Sequence, residues 1–149
     1  MLPGTTFQRL IPENGPATED PENVKKLILC SGKVYFDIKK HIDSAEKSRE
    51  IAVTRVEQLT PLPYDLIKAE LERYPNAAVQ WVQEEHRNQG AWSYVHPRIE
   101  HLIQREMPNR VHTKLLYAGR PASAAPATGR KSIHLMEHSH ILKAVLQTK

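Results

Sequence analysis

The stretch AVQWVQEEHRNQGAW, residues 78–92, is the part of the chain that decides the fold. Its first five residues, Ala78 to Val82, form an apolar run that predicts a buried β-strand. Acids and amides follow around Gly90, at a strand end, where α/β proteins concentrate their binding chemistry. Glu-Glu and Asn-x-Gly sequences are also ordinary turn material. The residue types alone favour a strand-to-helix turn that side-chain to backbone hydrogen bonds fix in place.

The sequence on both sides of this stretch alternates between strand-like runs and helical stripes. The predicted strands are Lys26–Cys30, Ile51–Val56, Val79–Val82 and Lys114–Ala118. The predicted helices run from Lys33 to about Ala45, from Tyr64 to about Tyr74, from Pro97 to about Glu106, and after the loop 119–129 through Leu146. Pro97 suits a first helical turn, because its missing N–H costs least there.

This alternation predicts an α/β fold, a three-layer α/β/α domain with a mostly parallel sheet. Residues 1–22 contain four prolines and two glycines, and they predict an extended lead-in with room for one edge strand. Residues 23–149 then form a single α/β domain. One edge strand is free to run antiparallel, and the order of the strands does not follow from the sequence.

Composition excludes several classes of protein. No apolar run approaches the ~20 residues that cross a bilayer, so no membrane span is expected. The formal charge is +4, but 17 acidic residues are interspersed with 21 basic ones, which argues against a nucleic-acid partner. Cys30 is the only cysteine, so no intrachain disulfide forms; it is expected to be a small buried hydrophobe in a reducing compartment.

The residues that could carry chemistry do not form a self-sufficient catalytic set. Ser31-Gly32-Lys33 lacks the glycine spacing of a phosphate-binding loop. His134 and His138 lie four residues apart, but no acid or cysteine at matched spacing completes a metal site. Glu84 and Glu85 are adjacent, so on a regular strand they would point to opposite faces and could not act as a carboxylate pair.

Several motifs together resemble the C-terminal domain of 2-oxoglutarate dehydrogenase. They are LCSGKVYFD (residues 29–37), TRVEQL (54–59) with PLPYDLI (61–67), QEE (83–85), and YAGRP (117–121) with APATG (125–129). The lead-in PGTTFQRLIPE (residues 3–13) fits as well, so the resemblance covers nearly the whole chain.

The resemblance implies a transketolase-like domain of a thiamine diphosphate- and Mg²⁺-dependent oxidoreductase of the tricarboxylic acid cycle. That dehydrogenase decarboxylates 2-oxoglutarate and passes the succinyl group to a lipoyl-bearing succinyltransferase in a multienzyme complex. Its cofactor site contains a Gly-Asp-Gly motif in earlier domains, and Gly-Asp-Gly is absent here. The chain alone is therefore expected to bind neither cofactor and to depend on the remaining domains or on a separate chain that carries them. The expected location is the mitochondrial matrix in a eukaryote, although no transit peptide is visible, and the cytoplasm in a bacterium.

The family's C-terminal domain supports the dimer and, in some members, takes part in effector control, so no catalytic residue carries over to this sequence. The polar positions within the matching motifs are predicted to form an interface or regulatory surface: Arg55, Glu57, Gln58, Gln83, Glu84, Glu85 and Asn88. Two alternatives remain. One is a repurposed, non-enzymatic subunit that braces a larger assembly. The other is a module that binds a small-molecule or CoA-type effector beside Lys33 and Arg120.

Overall fold

Lys26–Cys30 is a strand buried on both faces, as its unbroken apolar run requires. Leu27 and Leu29 point into one core, whereas Ile28 and Cys30 point into a second core on the opposite face. The computed structural model describes residues 4–147 and shows helices covering both faces of one sheet. The predicted α/β class, with three layers and a mostly parallel sheet, is confirmed.

Within residues 4–147 the sheet has five strands, and four α-helices lie around it. The strands are β1 (Leu10–Ile11), β2 (Lys26–Cys30), β3 (Ile51–Val56), β4 (Ala78–His86) and β5 (Leu115–Arg120). The helices are α1 (Val34–Ser44), α2 (Tyr64–Arg73), α3 (Trp92–Glu106) and α4 (Lys131–Leu146). None of the helices within residues 4–147 is long and apolar enough to cross a membrane.

The strand order is β1-β3-β2-β4-β5, and β2, β3, β4 and β5 run parallel. Helices α2 and α3 cover the face that carries Leu27 and Leu29. Helices α1 and α4 cover the face that carries Ile28 and Cys30. The chain therefore moves from β2 to β3 on one side and then crosses back past β2 to β4.

The lead-in contributes an antiparallel edge strand, β1, and then two short 3-10 turns at Pro16–Thr18 and Pro21–Asn23. Because β1 pairs with only two residues of β3, the remaining edge of β3 needs another acceptor. The buried Glu13 supplies it: its carboxylate accepts the backbone N–H of Val53 at 2.8 Å and of Gly15 at 2.6 Å. One acidic side chain thus ties the lead-in to the sheet.

Two predicted boundaries around the central stretch were wrong. Strand β4 continues to His86, four residues beyond the predicted end at Val82. Helix α3 begins at Trp92, so Pro97 lies inside the helix and not in a first turn that starts there. An interior proline gives up one backbone hydrogen bond. The helix still starts early because the buried side-chain amide of Gln83 accepts a hydrogen bond from the Trp92 backbone N–H, the first of the helix.

Candidate functional site

A cleft opens at the carboxyl ends of β2 and β4, where the connections that follow these two strands diverge. The chain after β2 enters α1 on one face of the sheet, and the chain after β4 enters α3 on the other. Open α/β sheets place ligands at such a switch point. The cleft encloses about 410 Å³ and is bordered by residues 31–33, 59–60, 81, 83–85, 90–91 and 94.

Lys33 and Glu84 face each other across this cleft. The Lys33 Nζ atom lies 3.1 Å from Glu84 Oε2, and both side chains remain accessible to solvent. Hydrogen bonding to the Glu84 carboxylate, with the charge of that carboxylate, raises the pKa of Lys33. The α1 helix that begins behind Lys33 has no side-chain cap at its N-terminus. The cleft therefore offers one accessible ammonium beside a positive helix end.

Gln83 organises the turn between β4 and α3. Its side chain is 3% exposed, and Oε1 accepts hydrogen bonds from Trp81 Nε1 at 3.0 Å and from the Trp92 backbone N–H at 2.9 Å. Its Nε2 donates to the carbonyl oxygens of His86 at 3.0 Å and Gln89 at 2.9 Å. A single amide thus caps α3 and closes the preceding loop. The polar cluster is a turn fixed by side-chain to backbone hydrogen bonds.

The two adjacent glutamates do not follow regular strand alternation. Val82 pairs with Ala118 and His86 pairs with Arg120, so β4 uses four residue steps where β5 uses two. This bulge brings Glu84 and Glu85 to the border of the same cleft. Glu85 lies over Gly90, whose φ is +64°, and a Cβ atom at Gly90 would lie 2.9 Å from Glu85 Cβ.

Asn88 holds the loop that follows β5. Its Nδ2 donates to the carbonyl oxygen of Ser123 at 2.9 Å, and its Oδ1 accepts the backbone N–H of Ser123 at 3.0 Å. Gln89 adds a hydrogen bond from Nε2 to the carbonyl oxygen of Ala125 at 3.0 Å. The Ala/Pro/Ser-rich loop is therefore attached to the turn after β4.

Arg120 forms a buried network at the end of β5. Its Nε donates to the carbonyl oxygen of Glu84 at 2.6 Å, and its Nη1 donates to Thr128 Oγ1 and to Glu137 Oε2, each at 2.6 Å. Its Nη2 lies 2.8 Å from His134 Nδ1. Although desolvation opposes ionisation, hydrogen bonds from Thr128 and Arg120 hold the pKa of Glu137 below its usual value. Arg120 is occupied inside the domain and leaves Lys33 as the accessible cation of the predicted effector surface.

Arg55, Glu57 and Gln58 are not among the residues that border the cleft, although Gln58 directly precedes Leu59, which is. The Arg55 guanidinium carbon lies 4.6 Å from the ring centre of Tyr35 and 5.7 Å from that of Phe36. Arg55 Nε and Glu57 Oε1 are 3.7 Å apart, and within residues 4–147 neither buried atom has a hydrogen-bond partner. Gln58 Nε2 donates to the carbonyl oxygen of Pro61 at 2.7 Å.

The seven predicted surface residues thus fall into three groups. Glu84 and Glu85 border the cleft with accessible carboxylates; Arg55 and Glu57 form a second cluster against α1; and Gln58, Gln83 and Asn88 form hydrogen bonds within the domain. The organising role of Gln83 follows a signal in the sequence: a glutamine two positions after a strand tryptophan and nine before a helix tryptophan. The separation of Arg55 from the cleft has no such signal, because it depends on strand order.

The lone cysteine and the two histidines His134 and His138 lie in surroundings typical of structural residues. Burial, with the charge of Glu57, raises the pKa of the Cys30 thiol to about 12 despite the opposing charge of Arg55. The His134 and His138 rings stack nearly parallel, with centres 6.2 Å apart. Across residues 4–147 no three His, Cys, Asp or Glu side chains come together as metal ligands.

Comparison with known proteins shows that the sequence matches one family. Residues 1–146 match the family described as "2-oxoglutarate dehydrogenase C-terminal". The chain is 45% identical over 148 residues to "2-oxoglutarate dehydrogenase-like, mitochondrial" of Pongo abelii, covering 99% of the chain and 14% of that protein. It is 45% identical over 145 residues to "2-oxoglutarate dehydrogenase, mitochondrial" of Caenorhabditis elegans, covering 95% of the chain and 13% of that protein.

A more distant relative is similar in sequence, and a solved structure is similar in fold. The chain is 39% identical over 144 residues to a "Probable 2-oxoadipate dehydrogenase complex component E1 homolog" of Dictyostelium discoideum, covering 95% of the chain and 15% of that protein. The solved "Split gene transketolase, inactive beta4 tetramer" is similar in fold, with a TM-score of 0.63 at 12% identity, covering 99% of this chain and 44% of that one. The chain spans about a seventh of the length of the curated relatives it matches.

Proposed function

Because the chain belongs to the 2-oxoglutarate dehydrogenase C-terminal family, we propose that it is a dimer-supporting and regulatory domain of such a dehydrogenase and is not catalytic alone. The observation that supports this role is how the polar groups around the switch point are used. Gln83, Asn88 and Arg120 spend their hydrogen-bonding groups on the domain's own backbone and side chains. These groups position a turn and a loop, which is a structural role.

The polar groups that remain accessible in the cleft are arranged for ligand binding and not for catalysis. Lys33 and Glu84 neutralise each other across the cleft, and a ligand that carries a phosphate would compete with Glu84 for the Lys33 ammonium. The uncapped α1 N-terminus behind Lys33 favours the same anion. A volume of about 410 Å³ fits one portion of a nucleotide or CoA-type effector. The regulatory arm of the proposal therefore assigns the cleft to such an effector.

The activity of the whole protein is part of the same proposal. The remaining domains would supply the thiamine diphosphate and Mg²⁺ site, decarboxylate 2-oxoglutarate, and transfer the succinyl group to a lipoyl-bearing succinyltransferase. The names of the relatives support the mitochondrial matrix as the compartment. The 149-residue chain would contribute intersubunit contacts and regulation to that enzyme.

A chimera tests the structural arm of the proposal. The matching C-terminal region of the Caenorhabditis elegans dehydrogenase, 13% of its length, is replaced by this chain. We expect a dimer that decarboxylates 2-oxoglutarate, whereas the same enzyme without any C-terminal domain loses dimer stability and activity. A monomeric, inactive chimera would reject the proposal. Stable co-purification of the chain with an unrelated assembly would favour the repurposed subunit instead.

Lys33 tests the regulatory arm. Calorimetry of the chain with an acyl-CoA and with adenine nucleotides should show saturable binding, and Lys33→Gln should weaken it about tenfold or more, since a charge-assisted hydrogen bond is worth roughly 1.5–3 kcal/mol. Lys40→Gln, at an exposed lysine about two turns further along α1, is the matched control and should bind as the parent does. Absence of saturable binding would remove the effector from the proposal and leave the scaffold role.

A further inference from the structure

Helix α4 is apolar on its outward side as well as on the side that faces the sheet. Ile141 and Val145 fill the core between α4 and α1. On the opposite side Leu135 is 54% exposed and Met136 is 52% exposed, and the neighbouring Ile133 is exposed as well. Adjoining exposed apolar side chains on a protein surface mark an interaction site. The outward side of α4 is therefore a surface that lacks its cover.

The exposed residues of α4 form one continuous stripe. Ser132, Leu135 and Ser139 follow one another at steps of three and four, as do Ser132, Met136, Ser139 and Lys143, and all five residues are exposed. We call this stripe the outer α4 face. The two serines flank the apolar pair, so the face is flat enough for another element to lie close against it.

The charged groups around the outer α4 face are basic. Arg130, Lys131 and Lys143 are exposed, and His140 lies on the same exposed side. The only acidic residue of the helix, Glu137, is turned inward to Arg120 and Thr128. A second copy of the chain would bring the same basic rim against itself, which is unfavourable. A partner with an acidic rim around an apolar centre is complementary.

The size of the face limits how it can be used. A stable interface between separate proteins takes about 20–30 residues a side, and the outer α4 face offers far fewer. Such a patch becomes effective when a covalent connection raises the local concentration of its partner. In the relatives such a covalent connection exists, because the segment that matches this chain is only about a seventh of a longer polypeptide.

From these observations we infer that the outer α4 face docks on an apolar, acidic-rimmed surface in the remaining domains of the same dehydrogenase polypeptide. The inference rests on the proposed function, because it takes the occupant from the rest of that enzyme. Leu135 and Met136 are the apolar anchors of the contact. Lys131 and Lys143 meet the acidic rim and set its orientation.

Hydrogen exchange in the chimera described above tests the inference. The amides of residues 135–143 should exchange at least about tenfold more slowly in the chimera than in the separate 149-residue chain, because docking suppresses local opening of the helix. Amides of α2, which carries no such exposed pair, serve as the internal reference. Replacing both anchors, with Leu135→Ser and Met136→Ser, should abolish the difference in α4.

A matched variant separates docking from folding. Val111 is 74% exposed and lies between α3 and β5, so Val111→Ser removes a similar exposed apolar group elsewhere and should leave α4 protected. The anchor variants should keep the far-ultraviolet circular dichroism of the separate chain, since the replaced groups are exposed. Lys143→Glu should also reduce protection, by placing an acid against the acidic rim.

The outcomes distinguish the inference from the proposed function. An active, dimeric chimera whose α4 amides exchange as fast as those of the separate chain would overturn the inference and leave the proposed function intact. An inactive, unfolded chimera would overturn both. Self-association of the separate chain in sedimentation velocity, lost in the Leu135→Ser, Met136→Ser variant, would overturn the inference in favour of a second copy.

Discussion

Replacing Gln83 with alanine should cost far more stability than its place in a polar turn suggests. The side chain accepts two hydrogen bonds, from Trp81 and Trp92, and donates two, to His86 and Gln89, all between 2.9 and 3.0 Å. Alanine leaves these four groups without their partner in a site that is 3% exposed. A buried polar group without a partner costs about 1–3 kcal/mol, and losing a helix cap costs about 1 kcal/mol.

Because water can enter and satisfy some of these groups, we expect Gln83→Ala to lower the free energy of unfolding by about 3–5 kcal/mol. A single domain has roughly 5–15 kcal/mol in total, so the variant would be marginally folded. The corresponding fall in Tm is roughly 10–15 °C, at about 3 °C per kcal/mol for this size. Urea titration followed by circular dichroism measures the loss, and tryptophan fluorescence monitors Trp81 and Trp92 directly.

Gln80 provides a matched control on the same strand. It is also a buried glutamine, 5% exposed, but its Oε1 has no hydrogen-bond partner within residues 4–147. Gln80→Ala removes apolar contact only and should cost about 1 kcal/mol. Equal losses for Gln80→Ala and Gln83→Ala, or a loss below about 1 kcal/mol for Gln83→Ala, would refute the claim that the amide of Gln83 organises the turn.

Three further predictions concern single positions. Gly90→Ala should destabilise the domain by about 2 kcal/mol or more, because its φ of +64° and the nearby Glu85 Cβ both oppose a side chain, whereas Gly129→Ala, in open space, should stay within about 0.5 kcal/mol by urea titration. Cys30, whose thiol pKa is raised to about 12 by burial, should react with a disulfide reagent at pH 8 only as fast as the chain unfolds, and a prompt reaction of the folded chain would contradict its burial. Desolvation lowers the pKa of Lys26 to about 8 from an ordinary value of 10.5. Between pH 8 and 10.5 the unfolded chain therefore binds more protons than the folded chain, so the free energy of unfolding relative to that of Lys26→Met should rise with pH. A difference in unfolding free energy that stays constant between pH 7.5 and 9.5 would count against this prediction.

The periodicity of apolar residues was sufficient to predict the layers and most of the elements. Lys26–Cys30 and Ile51–Val56 are strands with the predicted bounds, since the apolar runs Leu27–Cys30 and Ile51–Val53 are buried on both faces of a parallel sheet. The order of the strands was not predictable, because crossover connections allow β3 and β4 to lie on either side of β2. That order decides which loops meet in the cleft.

The polar stretch after Val82 shows where pattern reasoning stops. The strand continues to His86 although its last residues are polar, because the bulge opposite β5 and the bonds of Gln83 keep the backbone extended. Helix α3 starts at Trp92 for the same reason, and Pro97 then falls in its interior. Gln83 and Trp92 lie nine residues apart in two different elements, and the propensities that predict each element do not include their contact.

The basic excess of the chain also has a structural explanation that composition could not reveal. Two helices end on cations: the buried Lys26 donates to the carbonyl oxygens of Ala144, Val145 and Gln147 at the end of α4. The partly buried Arg110 donates to those of Leu71, in the last turn of α2, and of Tyr74 and Ala77 beyond it. Cations at these positions complement the negative helix ends and satisfy carbonyl groups that have no partner in the helix. Arg120 is also hydrogen-bonded inside the domain, so several of the basic side chains stabilise the fold. Lys33 at the cleft and the lysines beside Leu135 and Met136 are among the basic groups that remain exposed, and the proposed contacts lie there.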